Sequence, residues 1–336
     1  MHLSVHADMP DSSPWDQIPP FKLVSRQLGW VRELIKESLN FSDGSVDIRH
    51  LLDHINARSG KMLRPGLVLL AGDCCGKITD EHIRVAAIVE MVHNATLLHD
   101  DVVDDGQIRR GLPTINNLWG NESAVLLGDY LLSKVFKMSA ELQPDVAKSI
   151  AAIAVRVCRG ELRQVVQREN RQLTEQEYID IITDKSAAFF SGCCRLGALL
   201  AQAGETQIQA MECFGLNSGI AFQITDDLLD ITADESQTGK SADSDVAKSK
   251  LTLPVIHLLS IVDQATKTKV LALLGKPAQS RAALKQMLIT FDSLSYAHNK
   301  SKQYVVKAIE YLRDLPHSSA KEALISVAQF IANRTK

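Results

Sequence analysis

Residues 83–105 read IRVAAIVEMVHNATLLHDDVVDD. Ile83, Ala87, Met91, Asn94, Ala95 and Leu98 recur at three- and four-residue steps, the period of one helical face. The run then turns abruptly acidic. On a helix, Asp100 and Asp104 stand one turn apart on one face, with Asp101 beside them. Three carboxylates so close repel one another. Their natural counter-ion is a hard divalent cation such as Mg²⁺, which takes one or two carboxylates together with phosphate oxygens and water.

Outward from this stretch the helical period continues. Leu126, Tyr130, Leu131, Lys134 and Val135 repeat it, and segments 122–141, 145–171, 205–234 and 292–314 have helix lengths. Start signals stand at Thr79-Asp80, at Thr174 with Glu177, and at Ser318 ahead of Glu322. After Pro65 only Pro113 and Pro144 occur before Pro254, a spacing that suits helices because proline breaks them. No alternating strand with an Asn-Gly or Asp-Gly hairpin turn is present. The expected fold is all-α, a single large helical bundle around a central cavity. Pro10, Pro14, Pro19 and Pro20 mark residues 1–27 as an extended, flexible N-terminal arm, leaving 28–336 as one domain.

Composition narrows the function. With 37 Lys and Arg against 40 Asp and Glu in 336 residues, the formal net charge is −3, so no basic footprint for nucleic acid exists. No apolar run reaches the ~18 residues of a membrane span; the closest, Ser186 to Gly204, carries Arg195 at its middle. The first residues lack the basic and apolar regions of a signal peptide, and a cytoplasmic address is expected. The six cysteines include two adjacent pairs and no CxxC, which points to buried small hydrophobes rather than zinc ligands.

A second acidic cluster stands at Gln223-Ile224-Thr225-Asp226-Asp227-Leu228-Leu229-Asp230. Asp226 and Asp230 again share a face, with Gln223 one turn earlier. One DDxxD is readily a solvated helix end; two, each behind an apolar helical run, are not. Compact basic groups accompany them. In Gly60-Lys61-Met62-Leu63-Arg64-Pro65, Lys61 and Arg64 stand at a helix start, a favourable anion site. Arg109-Arg110-Gly111 follows Asp104 by five residues, and His93 lies two turns before Asp100. Lys185, Lys240 and Lys250 complete the set. Each alone is ordinary surface or core. Neither GxxxxGK[ST] nor GxGxxG occurs in a nucleotide-binding context.

Together these stretches, GKMLRP, VHNATLLHDDVVDDGQIRRG, LLGDYLLS, DKSAAFFSGCCRLGA, FQITDDLLD, GKSADSD, LTLPVIHLL and LPHSSAKEALISVAQFIANR, resemble the trans-polyprenyl diphosphate synthases, octaprenyl and heptaprenyl types included, in order and spacing from about Leu28 onward. The resemblance implies an isoprenoid synthase type I-like all-α prenyltransferase, a homodimer, elongating an allylic diphosphate (farnesyl or geranylgeranyl) with isopentenyl diphosphate. It implies about three Mg²⁺ ions per site, held by Asp100, Asp101, Asp104, Asp226 and Asp227 with Asp230 in support. Arg109 and Lys185, with Lys240 and Lys250, would bind the allylic diphosphate; Lys61, Arg64, His93 and Arg110 would grip isopentenyl diphosphate. Ser186 and Gln223 would place oxygens near the developing cation. The long apolar product implies peripheral membrane contact on release.

The family has glycine where Asp243 and Ser249 stand, so the Lys240–Lys250 loop departs from its pattern. A class I terpene cyclase shares DDxxD, and Asp234 falls eight residues after Asp226, but position 230 is Asp rather than Ser or Thr. Only 5% of the chain is aromatic, too little for a cavity that steadies successive cations. A subunit of a heteromeric synthase is the third reading; regulatory subunits lose aspartates, and both clusters are intact here. Ala95 and Thr96, one turn before Asp100, are small where short-chain synthases carry aromatics. A product of C30–C50 for a quinone side chain is therefore expected, with a short-chain farnesyl or geranylgeranyl product as the alternative.

Overall fold

In the computed structural model, which describes residues 18–40, 46–57, 60–232, 250–274 and 278–334, the quoted stretch forms helix α4, Asp80–Val103. Before it come a 3₁₀ turn Pro19–Val24, α1 Ser25–Ser38, α2 Val46–Ala57 and α3 Leu63–Cys75. After it come α5 Ile115–Ser139, α6 Pro144–Val166, α7 Glu175–Ile182, a π turn Thr183–Ala187, α8 Ala188–Leu200 and α9 Glu205–Thr232. The chain closes with α10 Leu253–Ile261, α11 Gln264–Leu273, α12 Ala278–Thr290, α13 Ser293–Tyr311 and α14 Ser319–Asn333.

The caps are those the sequence signals. Thr174 Oγ1 accepts from the Glu177 backbone while Glu177 Oε2 accepts from the Thr174 N–H at 2.8 Å, starting α7. Ser318 Oγ accepts from the Lys321 N–H at 3.1 Å, starting α14. At α4 the third-position partner is His82, whose Nδ1 accepts from the Thr79 N–H at 3.0 Å.

Ile83, Val85, Ala86, Ala87, Ile88 and Val89 of α4 are all buried; a helix apolar on every side belongs inside a bundle. Helix α4 packs on α5, α3 on α8, and α9 on both α8 and α13. One apolar core surrounds α3, α4 and α8, while a second joins α7, the end of α9 and α10 to α13. The site opens between the C-terminal ends of α4 and α9, where the apolar runs give way to aspartates.

Two expectations need correction. The packed body begins no later than Ile18, not at 28: Ile18, Phe21 and Val24 are buried. Apolar side chains outweigh the prolines here, and Pro19 and Pro20 start a 3₁₀ turn instead of an extended arm. Residues 1–17 lie outside the described residues. A hairpin also exists, a two-residue pair of Ile108–Arg109 with Leu112–Pro113. Its turn residues Arg110 and Gly111 have φ of 54° and 77°, the type I′ geometry that Asn-Gly ordinarily signals. The Arg109-Arg110-Gly111 motif is thus a turn that splays two adjacent guanidiniums.

Cys74, Cys193 and Cys194 are buried as expected, Cys158 is exposed, and all six thiols are free. Among the described residues, no helix is long and apolar enough to cross a membrane.

Candidate active site

A cavity of about 640 Å³ lies between the two acidic helix ends. Its walls include Asp100 and Asp104 of α4, Asp226, Asp227 and Asp230 of α9, and Lys61, Arg64, His93, Arg109, Arg110, Lys185, Ser186, Gln223 and Lys250. Residues spread over 190 positions of sequence therefore share one chamber. Lys240 lies outside the described residues.

The aspartates divide into two kinds. Asp100 and Asp104 face the cavity. Asp104 receives Lys250 Nζ at 3.1 Å and Arg168 Nη2 at 3.3 Å. Asp101, expected beside them, is 3% exposed, does not line the cavity, and takes Arg109 Nε at 2.7 Å. Helical geometry turns it toward the hairpin, where it holds Arg109 in place. Asp227 lines the cavity, but Tyr178 Oη donates to one of its oxygens at 2.6 Å and Gln223 Nε2 to the other at 2.8 Å. Asp226 pairs with Arg334 Nη2 at 2.7 Å.

Burial pushes the Asp100 carboxyl up to about 6; Lys185 and Arg109 pull it down, Glu161 and Asp104 push it up. Folding raises this pKa, so the group's stability contribution falls as pH rises from about 4 to 6 and stays low above that. Below about pH 6 a cation that binds Asp100 must displace its proton. We expect Mg²⁺ to raise the melting temperature clearly at pH 7.5 and much less at pH 5; equal shifts at both would show that Asp100 takes no part.

The basic wall is equally ordered. Arg64, at the start of α3, stacks its guanidinium 4.8 Å from the Phe189 ring centre, and its buried Nε has no hydrogen-bond partner among the described residues. Burial lowers its pKa, opposed by Glu90. His93 is pushed well below 6.5 by burial and by Arg64, Arg110 and Arg109, so its imidazole is neutral at pH 7. Lys61 is lowered by partial burial and by Arg334 and Arg110. Gly60 lets the Arg110 guanidinium approach: a Cβ there would stand 2.7 Å from its nitrogens. Positive charge crowded this way calls for an anion.

Across the cavity Lys185 Nζ rests on Glu161 Oε2 at 2.8 Å and Gln164 Oε1 at 2.7 Å. Ser186 Oγ donates to Gln223 Oε1 at 2.5 Å. With Gln223 and Tyr178 on Asp227, this makes one chain in which each amide and hydroxyl orientation is fixed by its neighbour. The serine proton points away, leaving its lone pairs for the cavity.

Among the small residues before Asp100, Thr96 lines the cavity whereas Ala95 is fully buried in the core. Sequence reading missed Glu90, Glu161, Gln164, Arg168, Tyr178 and Arg334, all of which line the cavity. Glu90 carried a signal, a lone carboxylate within an apolar run three residues before His93. Arg334 carried only its place at the end of the tail LPHSSAKEALISVAQFIANR, with nothing to tie it to Asp226.

Among the described residues, no three acidic, histidine or cysteine side chains converge closely enough to hold a metal by themselves. Two aspartates on each of two facing helix ends instead suit cations shared with phosphate oxygens, the coordination Mg²⁺ prefers.

Comparison with known proteins identifies the family. The sequence model of the polyprenyl synthetase family matches residues 46–290. The chain is 36% identical to the geranylgeranyl diphosphate synthase of Saccharolobus solfataricus, over 84% of this chain and 89% of that protein. It is 34% identical to heptaprenyl diphosphate synthase component 2 of Geobacillus stearothermophilus, over 94% and 98%. The polyprenyl synthase of Caulobacter crescentus CB15, solved in complex with calcium and isoprenyl diphosphate, superposes with a TM-score of 0.90 at 29% identity, covering 97% of this chain and all of that one. With its helical bundle and two aspartate-bearing helix ends, the chain belongs to the polyprenyl synthetase family of prenyltransferases.

Proposed function

We propose that the chain condenses an allylic diphosphate with isopentenyl diphosphate, repeatedly, and releases a polyprenyl diphosphate longer than C20, in the C30–C50 range. The observation that carries the condensation is the cavity itself: two acidic helix ends facing a basic wall, with apolar side chains behind. Diphosphate leaves only when its charge is neutralised. Asp100, Asp104, Asp226 and Asp230 would hold divalent cations, Mg²⁺ in this reading and about three per site, whose charge would supply that neutralisation. Asp101 and Asp227 act behind them, Asp101 by holding Arg109 and Asp227 by holding Gln223.

Lys185 and Arg109 bind the allylic diphosphate, joined by Lys250 and, by sequence, Lys240. As the carbon–oxygen bond breaks, its electron pair leaves with the diphosphate. Ser186 and Gln223 turn oxygens toward the cation left behind. Lys61, Arg64, His93 and Arg110 hold isopentenyl diphosphate, whose double bond attacks that cation; the proton then lost goes to the departed diphosphate. His93 donates a ring N–H to isopentenyl diphosphate. Val157, Ile181 and Phe189 keep water from the cation.

Incubating the purified chain with Mg²⁺, farnesyl diphosphate and labelled isopentenyl diphosphate, then sizing the products, tests the function. Cyclised hydrocarbon would support a terpene cyclase. Activity only with an added partner would support a heteromeric synthase, the reading favoured by the relative named component 2. The two diphosphate pockets separate by mutation: Lys61→Ala raises KM for isopentenyl diphosphate about tenfold or more with a smaller effect on kcat, while Lys185→Ala harms the allylic side. Equal damage to both substrates by both variants would refute separate pockets.

The active form in this reading is a homodimer. Helix α6 exposes Val155, Leu162 and Val166 on one stripe, at 66%, 67% and 77% exposure, and α5 exposes Leu126 and Phe136. Apolar stripes of this kind mark a contact surface, here for a second copy. Leu162→Glu with Val166→Glu should yield monomers in light scattering; a monomeric wild type would refute the dimer. The growing apolar product, once too long for the cavity, is handed to a membrane surface.

A further inference from the structure

Asp184 is a buried carboxylate that no step above uses. It is 4% exposed and sits in the π turn Thr183–Ala187 between α7 and α8. Three arginines from successive turns of α6 converge on it. Arg156 Nε lies 3.2 Å from Oδ1, Arg159 Nε 2.9 Å from Oδ2 with Nη2 2.9 Å from Oδ1, and Arg163 Nη1 3.1 Å from Oδ2. Burial pushes the carboxyl up, but the hydrogen bonds from Arg159 and Arg156 outweigh it and hold the group below its ordinary value.

The three arginines are a third to half exposed, so solvent screens their attraction and the desolvation of the buried carboxylate offsets much of the rest. What such a cluster supplies is position. A π turn is rare and frequently found at functional sites; it persists where its surroundings over-determine it. Here the next two residues, Lys185 and Ser186, are those that line the cavity. Helix α6 grips the turn on both sides. Its arginines hold Asp184, and its Glu161 and Gln164 receive Lys185 Nζ. Between them Gly160 brings α6 backbone against the turn, where a Cβ would stand 2.2 Å from the Lys185 backbone nitrogen.

We propose that Asp184, clamped by Arg156, Arg159 and Arg163, is a positioning residue that sets the π turn and so aims Lys185 and Ser186 at the allylic diphosphate. This rests on the assignment of Lys185 and Ser186 to the allylic side made above.

The test compares wild type, Asp184→Asn, the double variant Arg159→Gln with Arg163→Gln, and Lys185→Ala, all as full chains with Mg²⁺. Two readouts are taken: KM and kcat for each substrate, and the dissociation constant of farnesyl diphosphate alone by equilibrium dialysis. A displaced turn should cost about ten- to a hundredfold in kcat/KM for the allylic substrate and weaken farnesyl diphosphate binding. KM for isopentenyl diphosphate should stay within about twofold and helicity by circular dichroism should be unchanged. The arginine pair is half exposed, so its double variant folds and decides the matter by the same criteria if Asp184→Asn does not. Wild-type allylic binding and kinetics in these variants, or equal loss for both substrates, would overturn the proposal. If Lys185→Ala damages the allylic side and the clamp variants do not, this inference alone fails. An inactive wild-type enzyme would overturn it together with the function on which it rests.

Discussion

Replacing Asp100 by asparagine lowers kcat at least about a hundredfold, the scale of a lost electrostatic contact to a leaving group, and Asp226→Asn does the same. Both carboxylates line the cavity on opposite helix ends, and each side must contribute to hold cations against the diphosphate. The structure adds a second expectation that separates chemistry from folding. Burial raises the Asp100 carboxyl to about 6, so its charge at pH 7 costs stability. Without cations, Asp100→Asn should therefore melt no lower than wild type, and higher at pH 7.5, while turning over far more slowly. Excess EDTA should abolish turnover of the wild-type enzyme and Mg²⁺ restore it. Normal turnover in EDTA, or a slow variant that also melts lower, would defeat the reading of Asp100 as a cation-binding group held at a cost to the fold.

Much of this site was legible because its chemistry is written in short range. The i, i+4 spacing of Asp100 with Asp104 and of Asp226 with Asp230 needs only helical geometry. The basic groups at Lys61 and Arg64 and at Arg109 and Arg110 are equally local, and each reaches the cavity. Sequence spacing could not tell a cavity-facing aspartate from one turned to a protein partner. Asp101 and Asp227 look equivalent to their neighbours until Arg109, Tyr178 and Gln223 are seen on their oxygens.

Long-range partners were illegible for the same reason. Arg334 reaches Asp226 across 108 positions and Arg168 reaches Asp104 across 64, and no periodicity links them. The π turn escaped because one extra residue in a helix leaves its apolar period almost intact. The hairpin escaped because Arg110, rather than Asn or Asp, adopts the positive φ. The prolines before Phe21 read as an extended arm only while the buried neighbours of Phe21 were unseen.

Product length should respond to Thr96 more sharply than to any other single position in the apolar wall. Thr96 stands one turn before Asp100 and lines the cavity, its hydroxyl donating back to the His93 carbonyl at 2.8 Å. In the proposed function a chain growing away from the diphosphate passes this point, and a threonine leaves it open. The relatives do not decide the length, since geranylgeranyl and heptaprenyl synthases resemble the chain comparably. Thr96→Phe puts a ring into the path, and a pocket closed by bulk rejects the added isoprene units by sterics. The expected result is a shift from products longer than C20 to C15–C20, with Mg²⁺ dependence unchanged because the aspartates are untouched. Ala95→Phe, which the sequence made to look equivalent, should behave differently. Ala95 is 0% exposed within the core, so a ring there overpacks the helices at about 1–3 kcal/mol and lowers the melting temperature before it shortens the product. Unchanged products from Thr96→Phe, or a wild-type enzyme that already stops at C15 or C20, would overturn the open path beside Thr96.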